Sequence, residues 1–189
     1  MLDLQKNKHT KQLNLLDTKY SLQYGGMLRK KSKCRGARPL TRKDSIHLVM
    51  RSSQAKNELS FRNPKHLKKL GVLIQNFSKK KGIQIISLAN VGNHLHLHIK
   101  IPNRTLYKAW IRGLSSAIAM LIAGRKKLKE LKIQKKTFWD YRPFTRVVNS
   151  FKAYLNLRDY IEINQFEGIG MPRLKATLLI KGSRQFFSG

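Results

Sequence analysis

One seven-residue stretch, His94-Leu95-His96-Leu97-His98-Ile99-Lys100, constrains the fold of this 189-residue chain more than any other. Polar and apolar residues alternate strictly along it. A period of two belongs to a β-strand, whose successive side chains point to opposite faces. Leu95, Leu97 and Ile99 therefore share a face that must be covered by other apolar groups, and His94, His96 and His98 share the opposite one.

Around this strand the sequence predicts a regular order of elements. Ser45–Met50 is a strand by its β-branched content. Asn63-Pro64 is a cap and first-turn signal, and Leu67, Leu70, Ile74 and Phe77 then recur at helical spacing to about Lys81, with Gly82 closing the helix. Ile83–Leu88 is a second strand, joined by the tight turn Val91-Gly92-Asn93 to the histidine strand. Leu106 to Ile122 is helical and ends at Gly124. The basic run Arg125–Lys136 is expected to be a solvated loop or fraying helix end. Phe144–Val148 is a fourth strand, and Ser150 caps a last helix running to about Gln165. The order β-α-β-β-α-β followed by a helix is the α+β, ferredoxin-like (RRM-like) pattern, with a central antiparallel sheet and helices on one face. Residues 1–43 are expected to be a basic N-terminal arm, 44–165 the folded domain, and 166–189 a basic C-terminal tail of unassigned structure.

Charge narrows the function. The chain carries 40 Lys+Arg against 9 Asp+Glu, a formal net charge of +31. A compact domain so charged repels itself unless a polyanion is near, and the usual polyanion is nucleic acid. No carboxylate lies between Asp17 and Asp44, or between Glu58 and Glu130, where basic residues are frequent. Charge alone is also compatible with a ribosomal-type RNA-binding protein that does no chemistry. The 41% hydrophobic content suffices for one core, and no apolar run approaches the ~18 residues of a membrane span. A single cysteine, Cys34, excludes an internal disulfide framework and a multi-cysteine zinc module. Met1–Lys6 has no apolar stretch of a secretory signal, so a cytoplasmic, nucleoid-associated setting is expected.

Chemistry concentrates in two places. Two imidazoles two residues apart on a strand can converge on one metal ion. A histidine-rich strand facing nucleic acid, or a satisfied pair on an open sheet face, fits the strand taken alone. On the last helix Tyr160 and Asn164 lie four residues apart and share a face. A tyrosine hydroxyl can act as a nucleophile, and an amide oxygen beside it can bind a metal. Tyr154 is six residues earlier, about 240° around the helix. Phe138, Trp139, Tyr141 and Phe144 lie beside Arg142 and Arg146; they either stack on unpaired bases or pack around the fourth strand. Trp110, on the apolar stripe of its helix, is expected in the core.

A His-x-His pair on a central strand, followed by a helical tyrosine in a very basic ferredoxin-like domain, resembles the HUH nucleases. The likeness is to their single-tyrosine transposases, especially the REP-associated tyrosine transposase family. It rests on Gly92-Asn93-His94-Leu95-His96-Leu97 and on Tyr160-Ile161-x-x-Asn164, and covers roughly residues 24–165. The resemblance implies that His94 and His96 bind a divalent metal ion, Mg²⁺ or Mn²⁺, that Asn164 is the third ligand and that Tyr160 is the nucleophile. Several relatives carry Gln four residues after the tyrosine. Here Asn164 is four after and Gln165 five after, so either could serve, with helix geometry favouring Asn164. His98 lies outside the family pair and reads as a DNA-facing or core residue. The resemblance further implies a homodimer that cleaves and rejoins single-stranded, hairpin-forming DNA through a 5′-phosphotyrosine. The absence of a Gly-Lys-Ser/Thr phosphate loop agrees with a reaction that needs no ATP. Arg29, Lys30, Lys31, Arg142 and Arg146 are the expected DNA contacts. The alternative is a non-catalytic nucleic-acid-binding protein on the same fold, in which loss of one of these four site residues is expected; all four are present.

Overall fold

A computed structural model describes residues 24–25 and 38–185. Arg29, Lys30, Lys31 and Cys34, with most of the expected basic arm, lie outside the described residues. The elements are β1 (Tyr24–Gly25), β2 (Ser45–Arg51), α1 (Pro64–Lys80), β3 (Gln84–Asn90), β4 (His94–Lys100), α2 (Arg104–Ile133), β5 (Phe144–Val148), α3 (Phe151–Gly168) and α4 (Arg173–Gln185). Three helix starts carry the side-chain caps that their sequences suggest. Asn63 accepts from Lys65 N–H at 2.9 Å, Asn103 from Leu106 N–H at 2.8 Å, and Ser150 from Ala153 N–H at 3.2 Å.

The strands form one sheet in the order β1-β5-β2-β4-β3, each antiparallel to its neighbours. The connections β2-α1-β3 and β4-α2-β5 each skip one position, and the two split βαβ units interleave as in the ferredoxin-like fold. On one face Ile46, Leu48 and Met50 of β2 and Leu95, Leu97 and Ile99 of β4 are completely or almost completely buried. They pack with Leu70 and Ile74 of α1 and with Trp110, Leu114 and Ile118 of α2. Trp110 is a core residue as expected, and its Nε1–H donates to Ser78 Oγ at 3.1 Å, tying α2 to α1. Burying each Leu, Ile or Met side chain of this core contributes about 1.5–3 kcal/mol.

The structure departs from the sequence-based expectation in three places. Helices do not cover one face alone: α3 lies across the histidine face, where Leu157 and Ile161 form a second cluster with Ala89 and Val148. An antiparallel sheet can leave one face to water, but Ala89 and Val148 make part of this face apolar, and Leu157 and Ile161 cover it. The basic run after Gly124 is helical as well. Gly124 leaves helical geometry (φ 66°, ψ 171°), but the helix resumes to Ile133. Leu131 is buried and Leu128 packs against the core, so this charged segment has an apolar side. Finally, residues 173–185 form α4, which packs on α3, and its Ala176 and Ile180, one turn apart, are buried.

Candidate active site

The pairing of β2 with β4 sets His47 opposite His98, Val49 opposite His96 and Arg51 opposite His94. All six side chains therefore share the α3 face of the sheet. His47 and His96 stack at 5.4 Å between ring centroids, with His47 Nε2 and His96 Nδ1 3.2 Å apart. His94 Nδ1 pairs with Asn93 Oδ1 at 2.6 Å, and its ring meets His96 edge-on at 4.7 Å. Gly92, with φ 97°, permits the turn that brings Asn93 there.

The Tyr160 ring lies 5.2 Å from His96 and 5.8 Å from His47, edge-on to both, and the residue remains 37% exposed. Asn164 is buried one turn later, its Nδ2 donating to the Tyr160 carbonyl at 2.6 Å. Further along, Glu167 acts electrostatically on His94. Asn164 thus falls on α3 between a residue at His96 and a residue near His94. Gln165 is turned elsewhere: it is exposed, and its Oε1 accepts from the Asn90 N–H at 3.2 Å. From α4, Arg173 pairs with Glu167 at 2.7 Å and sets its guanidinium 6.0 Å from the Tyr160 ring centroid.

The histidines are held neutral. Burial, then the neighbouring His47 and His94, push His96 down to about 3. Burial, then His98 and Arg146, lower His47 to about 4. Burial lowers His98 to about 4, and His94 is lowered by burial and Arg51 against an opposing effect of Glu167. Neutral imidazole is the form that binds metal.

The residues fit a divalent ion. His96 Nε2 is buried without a hydrogen-bond partner, while its Nδ1 is engaged by His47. His94 is likewise engaged through Nδ1, which leaves Nε2 as the nitrogen available for a ligand bond. Asn164 uses its amide N–H in the helix and keeps its oxygen as an acceptor. Among the described residues no three His, Cys, Asp or Glu side chains form a group able to hold an ion.

His98 is a core residue, paired with Ser45 Oγ at 2.6 Å and covered by Tyr154 at 4.9 Å. Phe138 and Trp139 pack on Phe61, and the Trp139 indole N–H donates to the Ser115 carbonyl, so these two are not a base-stacking platform. Phe144 and Arg146 instead line a cleft beside Tyr160. Arg142 is exposed in the loop before β5. His47, Glu167 and Arg173 went unnoticed in the sequence. Only the alternation of β2, which puts His47 on the face opposite Ile46 and Leu48, could have pointed to one of them.

Residues 41–164 match the family model described as "Transposase IS200 like". The chain belongs to that family. The fold of this IS200-like transposase is also that of a solved REP-associated tyrosine transposase bound to a REP hairpin. The two are 14% identical with a TM-score of 0.54, over 71% of this chain and 73% of that one. A candidate transposase from Deinococcus radiodurans R1 aligns at a TM-score of 0.40 and 15% identity, over 69% of this chain and 98% of that one, too loosely to bear on the site. No curated protein matches the sequence. No helix among the described residues of this IS200-like transposase is long and apolar enough to cross a membrane.

Proposed function

We propose that this transposase cleaves and rejoins single-stranded, hairpin-forming DNA, with Tyr160 as nucleophile and with His94, His96 and Asn164 holding a divalent ion. The observation that carries this reading is the position of Tyr160, part-exposed and edge-on to His96, whose Nε2 has no partner. The hairpin bound by the REP-associated relative supports the substrate class. A homodimer as the acting unit follows from the family resemblance alone.

When bound, Mg²⁺ or Mn²⁺ polarises the scissile phosphate and offsets its negative charge. His94 and His96 present neutral nitrogens, and Asn164 rather than Gln165 presents the amide oxygen. The Tyr160 oxygen attacks phosphorus as the bond to the 3′ oxygen breaks. The phenol loses its proton, the 3′ side leaves as a hydroxyl, and the 5′ phosphate stays on Tyr160 as a diester. Reverse attack by a 3′ hydroxyl rejoins the strand and restores the phenol, so no ATP is consumed. Arg173, paired with Glu167 and 6.0 Å from the Tyr160 ring centroid, is the nearby cation that can turn to a bound phosphate. Arg142 and Arg146, with Arg29, Lys30 and Lys31, contact flanking phosphates.

The test is a denaturant-resistant protein–DNA adduct. The protein is incubated with Mn²⁺ or Mg²⁺ and a labelled pool of single-stranded hairpins that includes DNA flanking its own gene. Wild type and Tyr154→Phe form the adduct, and Tyr160→Phe binds DNA but forms none. An adduct on Tyr160→Phe overturns the assignment. No adduct with wild type across a broad pool favours the non-catalytic reading.

A further inference from the structure

Tyr160 stands between two different neighbourhoods. On its β4 side is the histidine pair. On its β5 side a cleft of about 570 Å³ opens between β5 and the first turns of α3, with His47 and Tyr160 among the residues that line it. None of its lining residues comes from β4; the cleft adjoins the His94–His96 pair through His47 and Tyr160, whose rings meet His96. Phe144, Arg146 and Val148 alternate on β5 and therefore share the α3 face of the sheet. Phe144, Val148 and Leu157 supply apolar wall, while Arg146, Lys152 and Asn156 supply charge and an amide.

This composition narrows the occupant. A volume of this size falls within the range of small-ligand sites, which are mostly apolar with a few polar groups. A bare phosphate has no use for the apolar wall, and a purely apolar guest has none for two cations. A nucleotide has both parts, a flat base that stacks on aromatic surface and a phosphate that pairs with Arg or Lys. Location narrows it further. A phosphate under attack by Tyr160 has a nucleoside on each side, and the β4 side is occupied by the histidine pair.

We propose that this cleft is a subsite for one unpaired nucleotide next to the scissile phosphate. Its base lies against Phe144, its phosphate meets Arg146 and Lys152, and the Asn156 amide reaches the base edge. The inference rests on Tyr160 as the nucleophile for the identity of that phosphate. It gives a physical reason for a single-stranded substrate: a base held in a duplex stack must be unpaired and extruded before it can enter a pocket, which costs a few kcal/mol.

The experiment is saturation-transfer NMR on the full chain with each of the four deoxynucleoside 5′-monophosphates, followed by competition with inorganic phosphate. The expected result is saturation of the base protons of at least one nucleotide. Asn156→Trp, an exposed position where the larger ring fills the cleft, should weaken this binding by about tenfold or more, as expected when base–aromatic stacking is lost. Phe144→Ala should do the same. Asn76→Trp on α1, on the far side of the sheet, should leave it unchanged. Absence of base saturation for all four nucleotides overturns the proposal, as does unchanged binding by Asn156→Trp. Full displacement of the base signal by low phosphate would mean a phosphate-only site and also overturns it. Mononucleotide binding requires no strand cleavage, so the two readings fail separately. An adduct without base binding removes the subsite alone, and base binding without an adduct leaves a nucleotide site while removing the nucleophile assignment and the site's place beside a scissile phosphate.

Discussion

At the residue scale, His47 governs which nitrogen of His96 is available. A neutral imidazole carries one proton, and the partner of one ring nitrogen selects where that proton sits. In the tautomer that a metal ligand needs, His47 Nε2 accepts from His96 Nδ1–H, and the lone pair of His96 is left on the buried, unpartnered Nε2. His47→Leu removes the acceptor and should weaken Mn²⁺ binding by about 10–100-fold, the usual effect of losing such an outer partner. His47→Gln restores an acceptor oxygen and should recover most of the affinity. Calorimetric titration of the protein with Mn²⁺, without DNA, measures both; equal affinities for wild type and His47→Leu would remove His47 from this role. The two tyrosines of α3 divide in the same way. At 100° per residue, Tyr154 and Tyr160 sit about 60° to either side of Leu157, which faces the sheet. Both reach the histidine face, one over His98 and the other at His96 and His47. The sequence separates their directions, but only the crossing of α3 over β4 decides which histidine each one meets.

At the element scale, the site exists because α3 is pressed close to the sheet. Gly168 allows this at the C-terminal end of α3. A Cβ there would stand 2.5 Å from the Asn90 carbonyl oxygen and 3.1 Å from Arg62 Nη1. That carbonyl already accepts from Arg62 at 3.0 Å, so the backbone has little freedom to yield. Gly168→Ala should cost about 1–3 kcal/mol as overpacking and move Glu167 and Asn164 away from the histidines. It should lower the melting temperature and reduce adduct formation together. Gly71→Ala is the control, since a Cβ at that mid-helix position meets nothing within 4 Å. There the change should stabilise by about 0.5–1 kcal/mol through helix propensity. A Gly168→Ala protein as stable and active as wild type would mean that α3 does not need this contact. Strand positions were legible in the sequence because alternation and turn residues are local signals. The end of α2 and all of α4 were not, because their apolar residues are sparse among lysines and gain meaning only against a neighbouring surface.

At the scale of the whole molecule, charge and buried histidines set the response to solution conditions. With +31 formal charges, DNA binding should weaken by orders of magnitude between about 50 and 200 mM salt as counterion release loses its drive. Fluorescence anisotropy with a labelled single strand checks this, and a flat response would mean that phosphate contacts do not dominate. Acid should destabilise the metal-free fold. An unfolded histidine takes up its proton near pH 6.5, whereas His47 and His98 stay neutral down to about 4 and His96 to about 3. The unfolded state therefore binds more protons over that interval, and stability present above about pH 6.5 falls as pH drops toward 4. Thermal melts at pH 7, 6 and 5 should show a steady decline; an unchanged melting temperature would contradict the burial of neutral histidines.

The sequence by itself determined the order of elements from β2 to α3 and the ferredoxin-like class, and it singled out His94, His96, Tyr160 and Asn164 as candidate site residues and a polyanion as the expected partner. Each of these is written in short-range periodicity, spacing or net charge, or in a motif of a few residues. Tertiary structure alone decided that α3 covers the histidine face, that Gln165 turns to Asn90, and that Glu167 and Arg173 join the site. It also decided that Phe138 and Trp139 belong to the core while Phe144 lines a cleft. These outcomes depend on which surfaces meet across long stretches of chain. Neighbouring aromatics such as Phe138, Trp139 and Phe144 look alike in sequence, and what divides them is the burial available where the chain places each one.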